Sequence, residues 1–265
     1  MIVWAGTGPV LVAGPCVLET DRTNLGIGEY LAELSQRLGL RVVYKASFDK
    51  ANRSVPGAPR GPGLEPGLEA LARVREQTGL PVLTDVHEPW QAARVADVVD
   101  ALQVPAFLCR QTDLLEAVGR AEKPVNIKKG QFLAPETMSG AVEKVRRSGA
   151  GEVAVTERGT FFGYGDLVVD MRNFARLREA AAAPVLFDVT HAVQRPGQGP
   201  GGTSGGDRQH VPALLFAAAA AGADGFFIET HPAPDTASSD GATMWPLDQL
   251  GSLVERALDV WYRAR

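Results

Sequence analysis

Residues 81–104 read Pro81-Val-Leu-Thr-Asp-Val-His-Glu-Pro-Trp-Gln-Ala-Ala-Arg-Val-Ala-Asp-Val-Val-Asp-Ala-Leu-Gln-Val104. An apolar run, Val82–Asp85, ends on an acidic residue. An amphipathic stretch follows over Gln91–Val99, and then a second apolar run over Ala101–Val104. Strand, helix, strand in this order is the signature of a parallel βαβ unit, because a parallel partner can be reached only by crossing over through a helix. The same alternation extends in both directions. Before this stretch come candidate strands Val10–Ala13 and Val42–Ala46, and after it Val125–Lys128, Val153–Thr156, Val185–Val189 and Gly225–Glu229. The intervening helical patterns are Ile27–Leu38, Leu68–Gln77, Glu136–Arg147, Asp170–Ala181, Val211–Ala221 and Pro246–Tyr262. Within Leu68–Gln77, for example, Leu68, Leu71 and Val74 fall on one face. Eight such strands in 265 residues predict a (β/α)8 barrel, with an open doubly wound sheet as the alternative fold. No shift of composition divides the chain, so one catalytic domain is expected over residues 1–265, with a short N-terminal extension.

Composition narrows the function. A formal charge of −4 argues against a nucleic-acid partner or an anionic membrane surface, so any anion site must be a local cluster. Two cysteines in unlike contexts make no disulfide framework, which points to a reducing cytoplasm. The N-terminus lacks the charged and apolar regions of a signal peptide. The alanine run at 217–221 is too short to span a bilayer before Gly222 breaks it.

In such a barrel, polar residues just past the C-terminal ends of strands face the catalytic mouth. Here those positions hold Cys16, Lys45 and Ser47, Asp85 and His87, Arg110, Lys128 and Lys129, Arg158, His191, and Glu229 with His231. Lys45, Arg110, Lys128 and Arg158 converging on one mouth would repel unless an anion neutralises them, so a ligand with several negative charges, phosphate or carboxylate, is expected. The plainer reading pairs some of these cations with Asp85, Glu157 or Asp188. Gln103 adds a neutral hydrogen-bonding group that is equally at home in a structural role. Asn52, Arg53 and Ser54 offer an amide, a guanidinium and a hydroxyl in succession, which suits a second phosphate or a solvated loop equally well. Two long Gly/Pro-rich loops, Asp49–Gly67 and Gln194–Arg208, follow strands and are candidate lids.

Cys16 closes the run Leu-Val-Ala-Gly-Pro-Cys (11–16). A closed barrel brings the first strand beside the last two, and with them His191, Glu229 and Asp240. A thiolate, an imidazole and two carboxylates suit a divalent transition metal. Spacing alone does not separate that from a buried thiol among satisfied polar groups. A nucleophilic Cys16 has no acyl-transfer context around it, whereas Lys45 or Lys128 as a Schiff-base lysine is a better rival. Cys109, in Phe-Leu-Cys-Arg, reads as core.

Eight segments carry a resemblance over essentially the whole chain. They are Ala-Gly-Pro-Cys (13–16), Lys-Ala-Ser-Phe-Asp-Lys-Ala-Asn-Arg-Ser (45–54), Thr-Asp-Val-His-Glu (84–88) and Pro-Ala-Phe-Leu-Cys-Arg-Gln-Thr-Asp (105–113). Asn-Ile-Lys-Lys-Gly-Gln-Phe (126–132), Thr-Glu-Arg-Gly (156–159), Asp-Val-Thr-His (188–191) and Glu-Thr-His-Pro (229–232) complete the set. On these segments the chain resembles the 3-deoxy-D-manno-octulosonate 8-phosphate synthases. The resemblance implies a homotetrameric (β/α)8 enzyme of lipopolysaccharide-precursor synthesis, joining phosphoenolpyruvate to arabinose 5-phosphate with release of phosphate. It places Gln103, Arg110, Lys128 and Arg158 on phosphoenolpyruvate, with Lys45 and Lys50 reaching it. Asn52, Arg53 and Ser54 fall to the sugar phosphate, with Arg60 among the substrate-binding residues, and Asp85 and His87 near the reacting centre. The family divides at position 16 between Cys and Asn. Cys16 with His191, Glu229 and Asp240 resembles the metal-dependent class, whose divalent ion could be zinc, iron, manganese or cobalt. Two segments depart from the family pattern. Val55–Pro59 replaces a Ser-Ile-His-containing stretch, and Gly241–Trp245 differs just after Asp240. The rivals are a heptulosonate phosphate synthase using erythrose 4-phosphate, a Schiff-base aldolase, and a non-catalytic barrel that binds phosphometabolites. Lys-Ala-Asn-Arg-Ser (50–54) argues against the first, whose members favour a Lys-Pro-Arg-Thr-type segment.

Overall fold

The computed structural model describes residues 2–53, 55–199 and 204–265. Eight parallel strands close into a barrel: β1 (Val10–Gly14), β2 (Arg41–Lys45), β3 (Val82–Asp85), β4 (Ala101–Val104), β5 (Val125–Lys128), β6 (Val153–Glu157), β7 (Val185–Asp188) and β8 (Gly225–His231). Closure is made by β1 against β8, in register from Val10 opposite Gly225 to Gly14 opposite Glu229. The open-sheet alternative is thereby excluded. It is this closing pair that sets the end of β1 beside the end of β8.

The two faces of the strands build two cores, as the alternation of side chains along a strand requires. Val10, Val12, Val43, Leu83, Ala101, Ala154, Leu186 and Phe227 form a cluster of their own, and Ile2 and Trp4 join it. The N-terminal extension is thus a plug for the barrel floor. Leu11, Ala13, Val42, Tyr44, Leu102 and Val104 belong instead to the large cluster shared with the helices.

One principal helix follows each strand, the third only six residues long. They run Asp21–Leu38, Leu64–Thr78, Gln91–Ala96, Thr112–Arg120, Met138–Arg147, Asn173–Ala181, Val211–Ala220 and Leu247–Arg263. Besides end shifts, such as the third helix stopping at Ala96 and not Val99 and the sixth starting at Asn173 and not Asp170, three differ from the sequence expectation. The first begins a turn and a half early because Thr20 caps it, its hydroxyl accepting from the Thr23 amide at 3.3 Å. The second begins at Leu64 and absorbs Pro66 in its first turn, where a missing N–H costs nothing. The third expectation to fail is an omission: Thr112–Arg120 has no counterpart among the expected helices, although Leu114, Leu115 and Val118 give it a buried apolar face. Gly119 sits within it, and a Cβ there would lie 2.4 Å from the Val145 carbonyl oxygen. The glycine permits close helix packing and does not break the helix. No helix among the described residues is long and apolar enough to cross a membrane.

Candidate functional site

Above the apolar floor the barrel interior turns polar. Gln103 donates to Asp85 Oδ1 at 2.5 Å, Asn126 donates to Gln103 Oε1 at 2.8 Å, and Thr156 donates to Asn126 Oδ1 at 2.7 Å. This buried belt crosses four adjacent strands, and each bond in it is shielded from water. Asn126 and Thr156 drew no notice in the sequence, since an amide and a hydroxyl on strands carry no signal by themselves.

Resting on the belt are the lysines. Lys45 Nζ lies 2.9 Å from Asp85 Oδ2 and donates to Ser47 Oγ at 2.9 Å, while Ser47 donates in turn to Asp85. Lys128 pairs with Asp188, and its ammonium sits 3.0 Å from the Phe227 ring centroid. Lys129 is wholly buried and pairs with Glu157 at 3.5 Å, facing away from the mouth toward the carbonyls of Gly130 and Gly159. Of the four cations expected at the mouth, Lys45 and Lys128 each have a carboxylate partner in the ligand-free structure. Burial pushes the Lys128 ammonium down to about 8, against the opposing pull of Asp188. Asp85 and Asp188 are held well below the usual carboxylate range. Burial alone would raise both, but the lysines and, at Asp188, His191 outweigh it.

Arg158 reaches the same space from the end of β6. Its Nη2 donates to the His191 carbonyl at 3.0 Å and to Gln194 Oε1 at 2.7 Å, and its buried Nε has no partner. Arg110 does not join this ring. The short 3-10 turn Ala106–Leu108 carries the chain outward after β4, so Cys109 is buried as core while Arg110 is exposed and lies outside the cavity lining.

The cavity over these groups has a volume of about 820 Å³. Its deep wall holds Lys45, Asp85, Gln103, Lys128, Arg158 and Asp188, and its outer wall Asn52, Arg53 and Ser239. Arg53 is clamped, donating to the carbonyls of Pro59 and Ser238 at 2.8 and 3.0 Å and to Ser239 Oγ at 2.8 Å. Arg60 instead forms an exposed bidentate pair with Asp49 and does not line the cavity. Ser54 lies outside the described residues, as do positions 200–203 of the Gln194–Arg208 loop. The base of that loop is a two-residue antiparallel ladder, Gln194–Arg195 against Gly205–Gly206. His87 is half-buried against Phe48, and burial pushes its imidazole below its ordinary value. Lys50 moves the other way. Burial opposes its charge, but Cys16, Glu229, Asp85 and Asp240 together raise it.

Beside the lysines, Cys16, His191, Glu229 and Asp240 each turn a ligand-type atom into one space, all within 4.8 Å of one another. Cys16 Sγ donates to Asp240 Oδ2 at 3.0 Å. Asp188 accepts from His191 Nδ1 at 2.6 Å, which leaves Nε2 facing Glu229 Oε2 at 3.6 Å. A carboxylate behind the far nitrogen is how metal-ligating imidazoles are commonly oriented. Both Glu229 oxygens are buried without a hydrogen-bond partner; the Lys45 ammonium stands 3.8 Å from Oε1, too far for a hydrogen bond, so the carboxylate's lone pairs stay unmet. Burial and the Glu229 charge hold the Cys16 thiol well above its ordinary value. The donor set and the orphaned carboxylate fit a divalent cation, whose binding would displace the thiol proton. Asp240 belongs to the cluster despite the unusual segment after it. Its backbone is left-handed at φ 48°, pinned by the Thr243 and Met244 amides donating to its carbonyl at 2.9 and 3.1 Å.

Comparison with known proteins places these residues in a lineage. The model of the DAHP synthetase I family matches residues 2–260. A protein of Syntrophotalea carbinolica named 2-dehydro-3-deoxyphosphooctonate aldolase is 55% identical over 260 residues, covering 98% of this chain and 93% of that protein. One of the same name from Alkalilimnicola ehrlichii is 54% identical over 250 residues, 94% of this chain and 90% of its own length. A third, from Nitratidesulfovibrio vulgaris, is 52% identical over 251 residues, 95% of this chain and 91% of its own.

Proposed function

Because the chain belongs to the DAHP synthetase I family, we propose that its barrel mouth condenses phosphoenolpyruvate with D-arabinose 5-phosphate and water. The products are 3-deoxy-D-manno-octulosonate 8-phosphate and phosphate. The family model's name fits a heptulosonate synthase equally, but relatives more than half identical to the chain share the eight-carbon name. The observation that carries the reading is the joining of two half-sites through Asp188. One of its oxygens serves both the Lys128 ammonium of the anion site and the His191 ring of the metal-type cluster.

Phosphoenolpyruvate takes the deep position. Lys45, Lys128 and Arg158 would hold its carboxylate and phosphate, with the unpartnered Arg158 Nε free to contribute. The sugar enters above, its phosphate toward Asn52 and Arg53. Carbon three attacks the aldehyde, water adds at carbon two, and phosphate leaves to give the 2-keto acid. Lys50 and His87 line the mouth, and with the incoming water they are the groups placed to move the two protons. Lys128 and Arg158 meet the charge that develops in between. A divalent cation bound by Cys16, His191, Glu229 and Asp240, whether zinc, iron, manganese or cobalt, would supply Lewis-acid or orienting chemistry. We further propose a cytoplasmic homotetramer formed by a single catalytic domain, checked by light scattering.

The test is phosphate release from phosphoenolpyruvate with arabinose 5-phosphate, with erythrose 4-phosphate in parallel. A preference for the five-carbon sugar is expected, and a preference for the four-carbon sugar refutes the product assignment. Chelation should abolish turnover and added metal restore it. Full turnover after metal removal refutes metal dependence alone. Inactivation by borohydride with substrate bound would favour the Schiff-base alternative, and binding without phosphate release the non-catalytic one.

A further inference from the structure

Gln194 lies two residues beyond the short helix Val189–Ala192, at the foot of the Gln194–Arg208 loop, and is buried. Its amide has both ends engaged. The carbonyl oxygen accepts from Arg158 Nη2 at 2.7 Å, and the NH2 donates to Asp240 Oδ1 at 2.7 Å. The orientation is fixed by chemistry, since a guanidinium can only donate and a carboxylate can only accept. Asp240 Oδ2, the other oxygen, faces Cys16 Sγ at 3.0 Å and also accepts from Ser239 Oγ. Gln194 therefore grips the outer oxygen of the carboxylate and aims the inner one at the ligand cluster.

Resting on the metal-dependent reading above, we propose that Gln194 is a positioning residue that couples the anion site to the metal site through Arg158–Gln194–Asp240. It touches neither the reacting atoms nor the ion. It sets the rotation of Asp240 and, through the same amide, the place of the Arg158 guanidinium. An anion drawn to the remaining nitrogens of Arg158 fixes that guanidinium, and with it the amide and the carboxylate. Ligand at one site then tightens the other, and the effect is reciprocal by linkage.

The experiment measures zinc affinity by competition with a chromogenic chelator, in the absence and presence of saturating phosphoenolpyruvate. Gln194→Met keeps the volume and removes both hydrogen bonds. Gln194→Glu keeps an acceptor for Arg158 but sets a like charge against Asp240. Zinc binding is expected to weaken about 10- to 100-fold in Gln194→Met, and further in Gln194→Glu. Phosphoenolpyruvate should tighten zinc binding by about fivefold or more in the wild type and leave Gln194→Met unmoved. The wild type alone supplies a check that depends on no variant folding: zinc must tighten phosphoenolpyruvate by the same factor. Equal zinc affinity in all three proteins overturns the positioning role. An unchanged response to phosphoenolpyruvate in Gln194→Met, or none in the wild type, overturns the coupling. A wild type that takes up no zinc overturns the metal reading itself, and that failure shows before any variant is made.

Discussion

Replacing Asp188 by Asn tests the junction between the two half-sites. Removing one partner of a buried ion pair generally costs about 3–5 kcal/mol, because a bare charge is left behind. Here the charge has an escape. The Lys128 ammonium already titrates near 8. At pH 7.5, close to that value, shedding the proton costs on the order of 1 kcal/mol. Adding a lost hydrogen bond to His191 Nδ1, worth about 1 kcal/mol, the stability loss should stay near about 2 kcal/mol. Function should suffer far more. A neutral Lys128 no longer offers phosphoenolpyruvate a charge-assisted bond of about 1.5–3 kcal/mol, which is roughly 10- to 100-fold in affinity. Urea unfolding gives the first quantity and calorimetric titration with phosphoenolpyruvate the second. A loss of 4 kcal/mol or more with unchanged phosphoenolpyruvate affinity would show Lys128 still charged beside the Asn, and the reasoning would fail.

Three further outcomes are expected. On the proposed role of Lys128 as the cation that holds phosphoenolpyruvate, its KM should climb about tenfold per unit as pH rises past about 8, and Lys128→Arg should flatten that limb; a flat wild-type profile would dismiss Lys128 as the titrating group. Asp85, Asp188 and Asp240 are all depressed, so each contributes stability above the ordinary carboxylate range that is lost as pH falls through it. Below about pH 4 the three together should steepen the fall by about 4 kcal/mol per unit, measured by urea unfolding across pH. Gly14→Ala should cost about 3 kcal/mol or more, because a Cβ there would stand 2.1 Å from the Lys45 carbonyl oxygen; a thermal midpoint unchanged from wild type would mean the strand ends part freely.

The barrel was legible because its strands are short Val- and Ile-rich runs that end on ionisable residues, a local pattern. The metal-type cluster was legible only as a consequence of closure, since Cys16 meets Asp240 from 224 residues away. What escaped the sequence was pairing. Nothing local tells that Lys128 is committed to Asp188, or that Arg110 is turned outward by the turn after β4. Gln194 drew no notice for the same reason: its partners lie 36 residues before it and 46 after it. A glutamine takes its meaning from whichever donor and acceptor the fold sets on either side.

The floor built by Ile2, Trp4 and Phe227 makes the chamber a cul-de-sac. If the sugar phosphate binds at the rim beside Arg53, as proposed, it stands over phosphoenolpyruvate, and a non-reactive sugar phosphate should slow the escape of labelled phosphoenolpyruvate in a chase. Sealing the bottom with a tryptophan makes the order of traffic a property of the vessel's shape, independent of any affinity.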